Sequence, residues 1–310
     1  MNAKEQCMPD VVDSNSKDRK LFDEKLVSEW QEYVDWVDST TPSPGQTQTS
    51  VIFRGQKHYD SDPLKTSLHR AIDSARPLLE ECRDIEKRLI AEFRRRLHHY
   101  SVNIPHALDY LELLSMMQHY GAPTRLLDWT FSPYVALFFA IEHASGNDCS
   151  EVWSKTLTDL DVCEACKKLR LEDDFMESFK AKCREDYGSQ IDAPPQKLAT
   201  IALVYHLIKS PTPCIVGVNP YRLNDRLAVQ QGTFLMVGDP GVTVLDNMKA
   251  TQNLGQWTRV TIEMSPDSRK KALTYLHRMN INRATLFPGL AGFAESLRIR
   301  IAIPHALSRG

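Results

Sequence analysis

Two stretches of the 310-residue chain bring together groups that could hold a phosphorylated ligand and act on it. In Val51-Ile52-Phe53-Arg54-Gly55 an arginine follows a run of β-forming residues and precedes a glycine. A guanidinium at a strand end is a clamp for phosphate or carboxylate, because its planar fork binds two oxygens at once. The glycine lets a ligand approach the backbone. An internal salt bridge from Arg54 to Asp128 or another acid is the alternative use of the same group. In the second stretch, Gln118 to Thr130, Arg125 and Asp128 stand three apart on a strand and so face opposite sides. One of them can face a cleft while the other locks the fold. Asp128, Trp129 and Thr130 offer a carboxylate, an aromatic platform and a hydroxyl just ahead of a helix N-terminus at 132–135, itself an anion site. Trp129 also reads as plain core. His119 and Tyr120 end a helix, and histidine is the side chain best suited to general acid/base work near neutrality. A structural hydrogen bond to a backbone carbonyl is the other reading of His119. Gln231, entering a later strand, can offer an amide to a ribose hydroxyl or a base edge.

The elements that must carry these residues follow from apolar periodicity and turn chemistry. Residues 1–20 read as a flexible polar tail. Leu21 to Val37 predicts an amphipathic helix, and a Pro/Ser/Thr loop delivers the chain into the strand 50–54. Pro77 to Tyr100 predicts a long helix whose basic end, RRRLHHY, suits the helix dipole as a solvated terminus or serves as a phosphate-binding run. A helix over 108–119, a strand over 124–129 and a helix over 134–143 come next, the last with Ser132 as N-cap and Pro133 at its first position. Residues 147–197 are polar and charged and read as a peripheral insertion. Strands are expected at 215–218, 233–237 and 257–264, a helix at 266–279, and a last strand at 297–303. Short strands mixed with helices without regular alternation give an α+β fold, with a mixed or antiparallel central sheet and packed helices in one domain over 21–305.

A formal net charge of −2 argues against bulk capture of nucleic acid or anionic membrane. No run approaches the roughly 18 apolar residues of a spanning helix, and the polar N-terminus lacks the apolar core of a secretory signal. A cytoplasmic location with no membrane partner is therefore expected. Seven cysteines, an odd number without framework spacing, fit reduced thiols. Cys163 and Cys166 form a CxxC without a matching second pair, so two ordinary cysteines are expected there rather than a zinc site.

Phe53-Arg54-Gly55-Gln56, Ser67-Leu68-His69-Arg70, the whole string Gln118–Thr130, Ser132-Pro133, Ala136–Ala140, Gln231–Phe234 and Leu286-Phe287-Pro288 together closely resemble the FRG domain. The resemblance runs from about Val27 to about Arg298. The order of the pieces is also remotely similar to the ADP-ribosyltransferase superfamily. There an Arg-Gly ends the first core strand, a polar strand runs into an Ala-rich helix, and a third strand brings a glutamate. That resemblance implies NAD as cofactor and a nucleotide-binding site. Catalytic positions would be His119, Asp128 and Gln231. Cofactor-binding positions would be Arg54, Gln56, Arg70, Tyr120, Arg125, Trp129 and Thr130. Gln231 stands where the superfamily has its glutamate, and a neutral amide stabilises an oxocarbenium ion far less than a carboxylate does. Asp128 or Glu92 would then have to supply the charge. The implied activity is ADP-ribosyl transfer to a protein or nucleic-acid acceptor, in the setting of a toxin or antiviral effector. A non-catalytic nucleotide- or RNA-binding signalling module is the second reading, and a phosphodiesterase or nuclease using His119 with Asp128 the third.

Overall fold

Seven strands share one sheet in the order β1-β7-β4-β2-β3-β6-β5. They are β1 (Asp23–Val27), β2 (Ser50–Lys57), β3 (Leu126–Thr130), β4 (Ser150–Leu157), β5 (Ile215–Val218), β6 (Gly232–Val237) and β7 (Trp257–Ile262). Only β1 and β7 run parallel, and every other neighbouring pair is antiparallel. The sheet is therefore mixed, and the fold is α+β. The computed structural model describes residues 21–41, 50–57, 64–75, 81–146, 148–157, 165–167, 169, 171, 173–187, 194–222, 224–251 and 257–302. The expected tail 1–20 lies outside the described residues, as do 303–305 and Cys163.

Both faces of the sheet are covered at its centre, and β5 (IVGV) and β6 (GTFLMV) accordingly read as nearly continuous apolar runs. On one face Val51, Phe53, Val152, Val260 and Ile262 pack against helix α1 (Trp30–Thr40) and a helix over Pro133–Ile141. Farther along that face, Leu126, Val216, Phe234 and Met236 meet helices over Cys82–Leu97, Tyr110–His119 and Pro195–Lys209. On the opposite face Ile52, Leu127, Trp129, Trp153, Leu235 and Val237 close over Val244 and Met248. In chain order the helices after α1 are α2 (Ser67–Ala75), α3 (Cys82–Leu97), α4 (Tyr110–His119), α5 (Pro133–Ile141), α6 (Asp173–Tyr187) and α7 (Pro195–Lys209). Then come α8 (Asp225–Val229), α9 (Val244–Ala250), α10 (Pro266–Arg278), α11 (Arg283–Leu286) and α12 (Leu290–Ala302).

Four expectations are corrected. Ser150–Leu157, assigned to a peripheral insertion over 147–197, is a central strand with Val152 and Trp153 fully buried, and α6 buries Phe179 and Cys183. Charged residues hid the strand because Glu151 and Lys155, both buried, are polar residues inside it. The segment 297–303, expected as a strand, falls largely within α12. Residues 23–27 form the edge strand β1, and the helix expected from 21 begins only at Trp30. Cys82, Cys166, Cys183 and Cys214 form no disulfide, whereas Cys149 is disulfide-bonded, against the expectation of reduced thiols. Among the described residues no helix is long and apolar enough to cross a membrane.

Helix α5 fixes the middle of the sheet. Ser132 caps it by accepting from the Val135 amide at 3.3 Å, Pro133 opens it, and Val135–Phe138, Ala140 and Ile141 are all buried. It lies so close to β2 that a Cβ on Gly55 would overlap the Ala136 carbonyl and sit 2.8 Å from the Ala140 amide nitrogen. Both obstacles are backbone, so no rotamer change relieves them. Gly55→Ala is therefore expected to destabilise the protein by about 2 kcal/mol or more, as overpacking does in rigid cores, measurable as a lower denaturation midpoint at unchanged slope. An unaltered midpoint would show that α5 can shift without cost.

Candidate functional site

Strands β2 and β3 touch at a single pair, Phe53 with Thr130. Beyond it they part, because β2 is committed to β4 over eight residue pairs and β3 to β6 over five. The wedge between them opens a cavity of about 230 Å³, lined by Phe53, Arg54, Gly55, Asp128, Trp129, Thr130, Phe139, Arg226 and Gln230. A smaller hollow of about 20 Å³ adjoins it, sharing Asp128, Arg226 and Gln230 and adding Ser115, Gln118, His119 and Asn224.

Arg54 spans the wedge. Its Nη1 donates to the Asp128 backbone carbonyl at 2.6 Å, and its Nε donates to Gln56 Oε1 at 3.1 Å. Gln56 in turn donates to buried Glu151 at 2.6 Å, and Glu151 accepts from Arg259 at 2.9 Å. Arg54 thus meets residue 128 through its carbonyl and leaves the carboxylate to other partners.

The Asp128 carboxylate accepts from Gln118 Nε2 at 2.9 Å. The Gln118 amide is held in that sense by hydroxyl donors on its oxygen, Thr124 Oγ1 and Ser67 Oγ. Its NH₂ can therefore only face Asp128 and the Leu126 carbonyl. His119, the last residue of α4, lines the smaller hollow beside Asp128. Its Nδ1 is shielded from solvent and has no hydrogen-bond partner among the described residues.

Arg226 lines both hollows with no ion pair among the described residues. Its guanidinium lies 4.7 Å from the centre of the Phe287 ring, whose ring also carries Arg283 at 4.6 Å. Arg283 is neutralised by Glu142 at 3.1 Å. Gln230 is buried, donates to the Leu286 carbonyl at 2.9 Å, and through its own carbonyl accepts from Thr130 Oγ1 at 2.7 Å.

Of the residues expected from sequence, Arg54, Asp128, Trp129 and Thr130 border the larger cavity, and His119 and Asp128 the smaller. Trp129 directs its ring into the core, edge-on to Trp257. Gln56 stands one step behind Arg54. The remaining four lie elsewhere. Arg125 is fully buried in a bidentate pair with Glu86 at 2.8 Å and donates to the Gly238 carbonyl at 2.8 Å, so it locks α3 to the sheet. Arg70 is exposed and binds the Lys65 carbonyl at 2.6 Å. Tyr120 is 73% exposed.

Gln231 is turned out to solvent with φ 48°, a left-handed conformation that reverses the chain between α8 and β6. That reversal directs Gln230 inward in its place. Glu92, offered as a substitute acid, sits on the outer surface of α3, where hydrogen bonds from Arg95 hold its carboxyl below the usual range. Arg226 and Gln230, which line both hollows, are not among the site residues expected from sequence. Their spacing of four, which puts them on one face of a helical turn, is the one local signal that could have found them.

Residues 49–149, about a third of the chain, match the family model of the FRG domain. That span holds Arg54, Gln56, Arg70 and the string from Gln118 to Thr130, whereas Arg226, Gln230 and Gln231 lie beyond it. No curated protein and no solved structure gives a match.

Helix α4, which carries Gln118 and His119, starts at Asp109, whose carboxylate accepts from the Glu112 amide at 2.9 Å. Burial pushes the Asp109 carboxyl up to about 6, outweighing that hydrogen bond, and nearby Glu112 adds to the rise. A raised folded-state value means the fold gains stability where the group is protonated and loses it as pH rises through about 6. Asp109→Asn keeps the cap without the charge. The variant should be more stable than the parent at pH 7, by on the order of 1 to 3 kcal/mol, and the difference should vanish near pH 4. Melting curves across that range test this, and a constant offset would refute it.

Proposed function

We propose that the FRG domain this chain carries uses the wedge between β2 and β3 to bind one nucleoside half of NAD and transfer ADP-ribose from it. The observation that carries the reading is the pairing of opposites left unjoined: Asp128 and Arg226 border the same two hollows, yet no ion pair connects them. A ligand with both a phosphate and a developing positive centre would satisfy each. The cavity, about 230 Å³, is smaller than the usual 300–1,000 Å³ of whole-ligand pockets. It suits a ribose and its base, with the rest of the dinucleotide lying across the mouth.

In this reading Arg226, braced on Phe287, takes a phosphate oxygen pair. Arg54 keeps the wedge open by holding the Asp128 carbonyl. The bond between the ribose anomeric carbon and the nicotinamide nitrogen breaks, its electron pair leaving with neutral nicotinamide. Asp128 faces the positive charge that develops on the anomeric carbon, and Gln118 fixes its orientation. The acceptor's nucleophile then bonds to that carbon and gives its proton to His119. Asp128 thereby takes the part that Gln231, facing solvent, does not. Gln230 is the amide in reach of a ribose hydroxyl once it releases the Leu286 carbonyl.

The test is incubation of the full chain with NAD and cell lysate, following nicotinamide release and label transfer. Asp128→Asn should lower the rate by about 10²- to 10³-fold, the usual loss when one preorganised charge stabiliser is removed, while leaving NAD affinity nearly unchanged. Arg226→Lys should weaken NAD binding almost as much as Arg226→Ala, since an ammonium lacks the fork. NAD binding without nicotinamide release would leave a non-catalytic nucleotide-binding module. Equal activity in parent and Asp128→Asn would overturn the assignment of the charge-stabilising role.

A further inference from the structure

A second concavity lies away from the wedge, between α3, the start of α4 and the end of α7. Its volume is about 650 Å³, and Lys87, Arg94, Arg95 and Lys209 line it with no carboxylate among the lining groups. Two of these cations are answered within their own helix: Lys87 by Asp84 at 3.6 Å and Arg95 by Glu92 at 2.8 Å. Arg94 and Lys209 have no ion pair among the described residues. Both instead approach the ring of Tyr110, Arg94 at 4.8 Å and Lys209 at 5.7 Å. An aromatic ring attracts a cation but offers no lone pair to its N–H groups. Accordingly Arg94 Nη2 is shielded from solvent and has no acceptor. A shielded cationic donor without an acceptor is costly unless something else supplies the oxygen.

We infer that this concavity is an anion site for a small phosphorylated ligand of nucleotide size, separate from the wedge. Its volume falls in the range of small-molecule pockets, and Ile90 and Ile208 supply an apolar wall beside the cations. An extended nucleic acid would need the positive charge to continue along the surface. Here it is diluted instead: Arg95 and Arg96 share the one Glu92 carboxylate, Lys87 meets Asp84, and the exposed His98 and His99 rings lie against each other beyond the pocket. Tyr110 opens α4 and His119 closes it, so one rigid helix about 14 Å long, at about 1.5 Å per residue, runs from the second site to the first.

The experiment is calorimetric titration of the full chain with ATP and, separately, with inorganic tripolyphosphate, both without divalent metal. A site for both probes should survive in Arg226→Ala and weaken at least about tenfold in Arg94→Ala and in Lys209→Glu. Lys209 is exposed, so Lys209→Glu retains the fold even if loss of the half-buried Arg94 side chain unsettles it, and matched melting curves check this. Three results would overturn the inference. One is absence of binding by either probe. Another is binding abolished by Arg226→Ala but untouched by Lys209→Glu, which would return the ligand to the wedge. The third is a short single-stranded RNA binding at least about tenfold more tightly than ATP and losing affinity with the same two substitutions.

Discussion

The carbonyl oxygen of Ala136 occupies the place where any residue other than glycine at position 55 would carry its Cβ. Because α5 can then sit against β2, Phe53 is sealed beneath it while Arg54, the next residue in the strand, lines the wedge. The same helix begins three residues after Thr130, at the far side of the only pairing between β2 and β3. The approach of one helix to one glycine thus decides where the sheet holds together and where it opens. Tyr33 secures the arrangement from outside by donating to the Pro133 carbonyl at 2.7 Å.

Charge is distributed around that opening in two styles. Arg125 with Glu86, and Arg54 with Gln56, Glu151 and Arg259, are satisfied networks in which nearly every donor has a protein acceptor. Truncating one member of the buried Arg125–Glu86 pair would strand its partner, a loss of about 3–5 kcal/mol. Arg226 and Asp128 differ. They are half-buried, the arginine leans on an aromatic ring, and the carboxylate is oriented by an amide that itself has no freedom to turn. The first style builds a frame, and the second leaves unspent interaction at its edge.

Sequence spacing disclosed the frame better than the edge. The strands through Phe53, Leu127 and Phe234 are legible because β-branched and aromatic runs stand next to turn residues, although the first continues past Arg54, where it was expected to end, to Lys57. The capped start of α5 was legible for the same local reason. Asp128 could be placed opposite Arg125, but which of the two faced the cleft depended on Glu86, 39 positions earlier, and on carbonyls from 207 and 238. No local pattern encodes such distant partners. Residue 230 was confused with 231 because the deciding factor is a left-handed backbone at Gln231, a conformation that glycine usually announces and glutamine does not. The central strand β4 was taken for surface because its interior holds Glu151 and Lys155, whose partners sit on other strands.

The pairing at one edge of the sheet joins strands far apart in sequence: Asp23 lies opposite Thr258 and Val27 opposite Ile262. A ribosome must therefore deliver a further 235 residues, the separation of Asp23 from Thr258, before β1 has anything to pair with. Until then α1, whose Tyr33 and Trp36 belong to the core shared with Val260 and Ile262, lacks part of its packing surface. Closing so long a loop is an entropic cost met before the contacts return anything. Completion of this edge is consequently a late step, whereas β2, β3 and β4 find one another within residues 50–157. The charged, solvent-facing Asp23, Glu24 and Lys25 then cap the finished edge against pairing with another molecule.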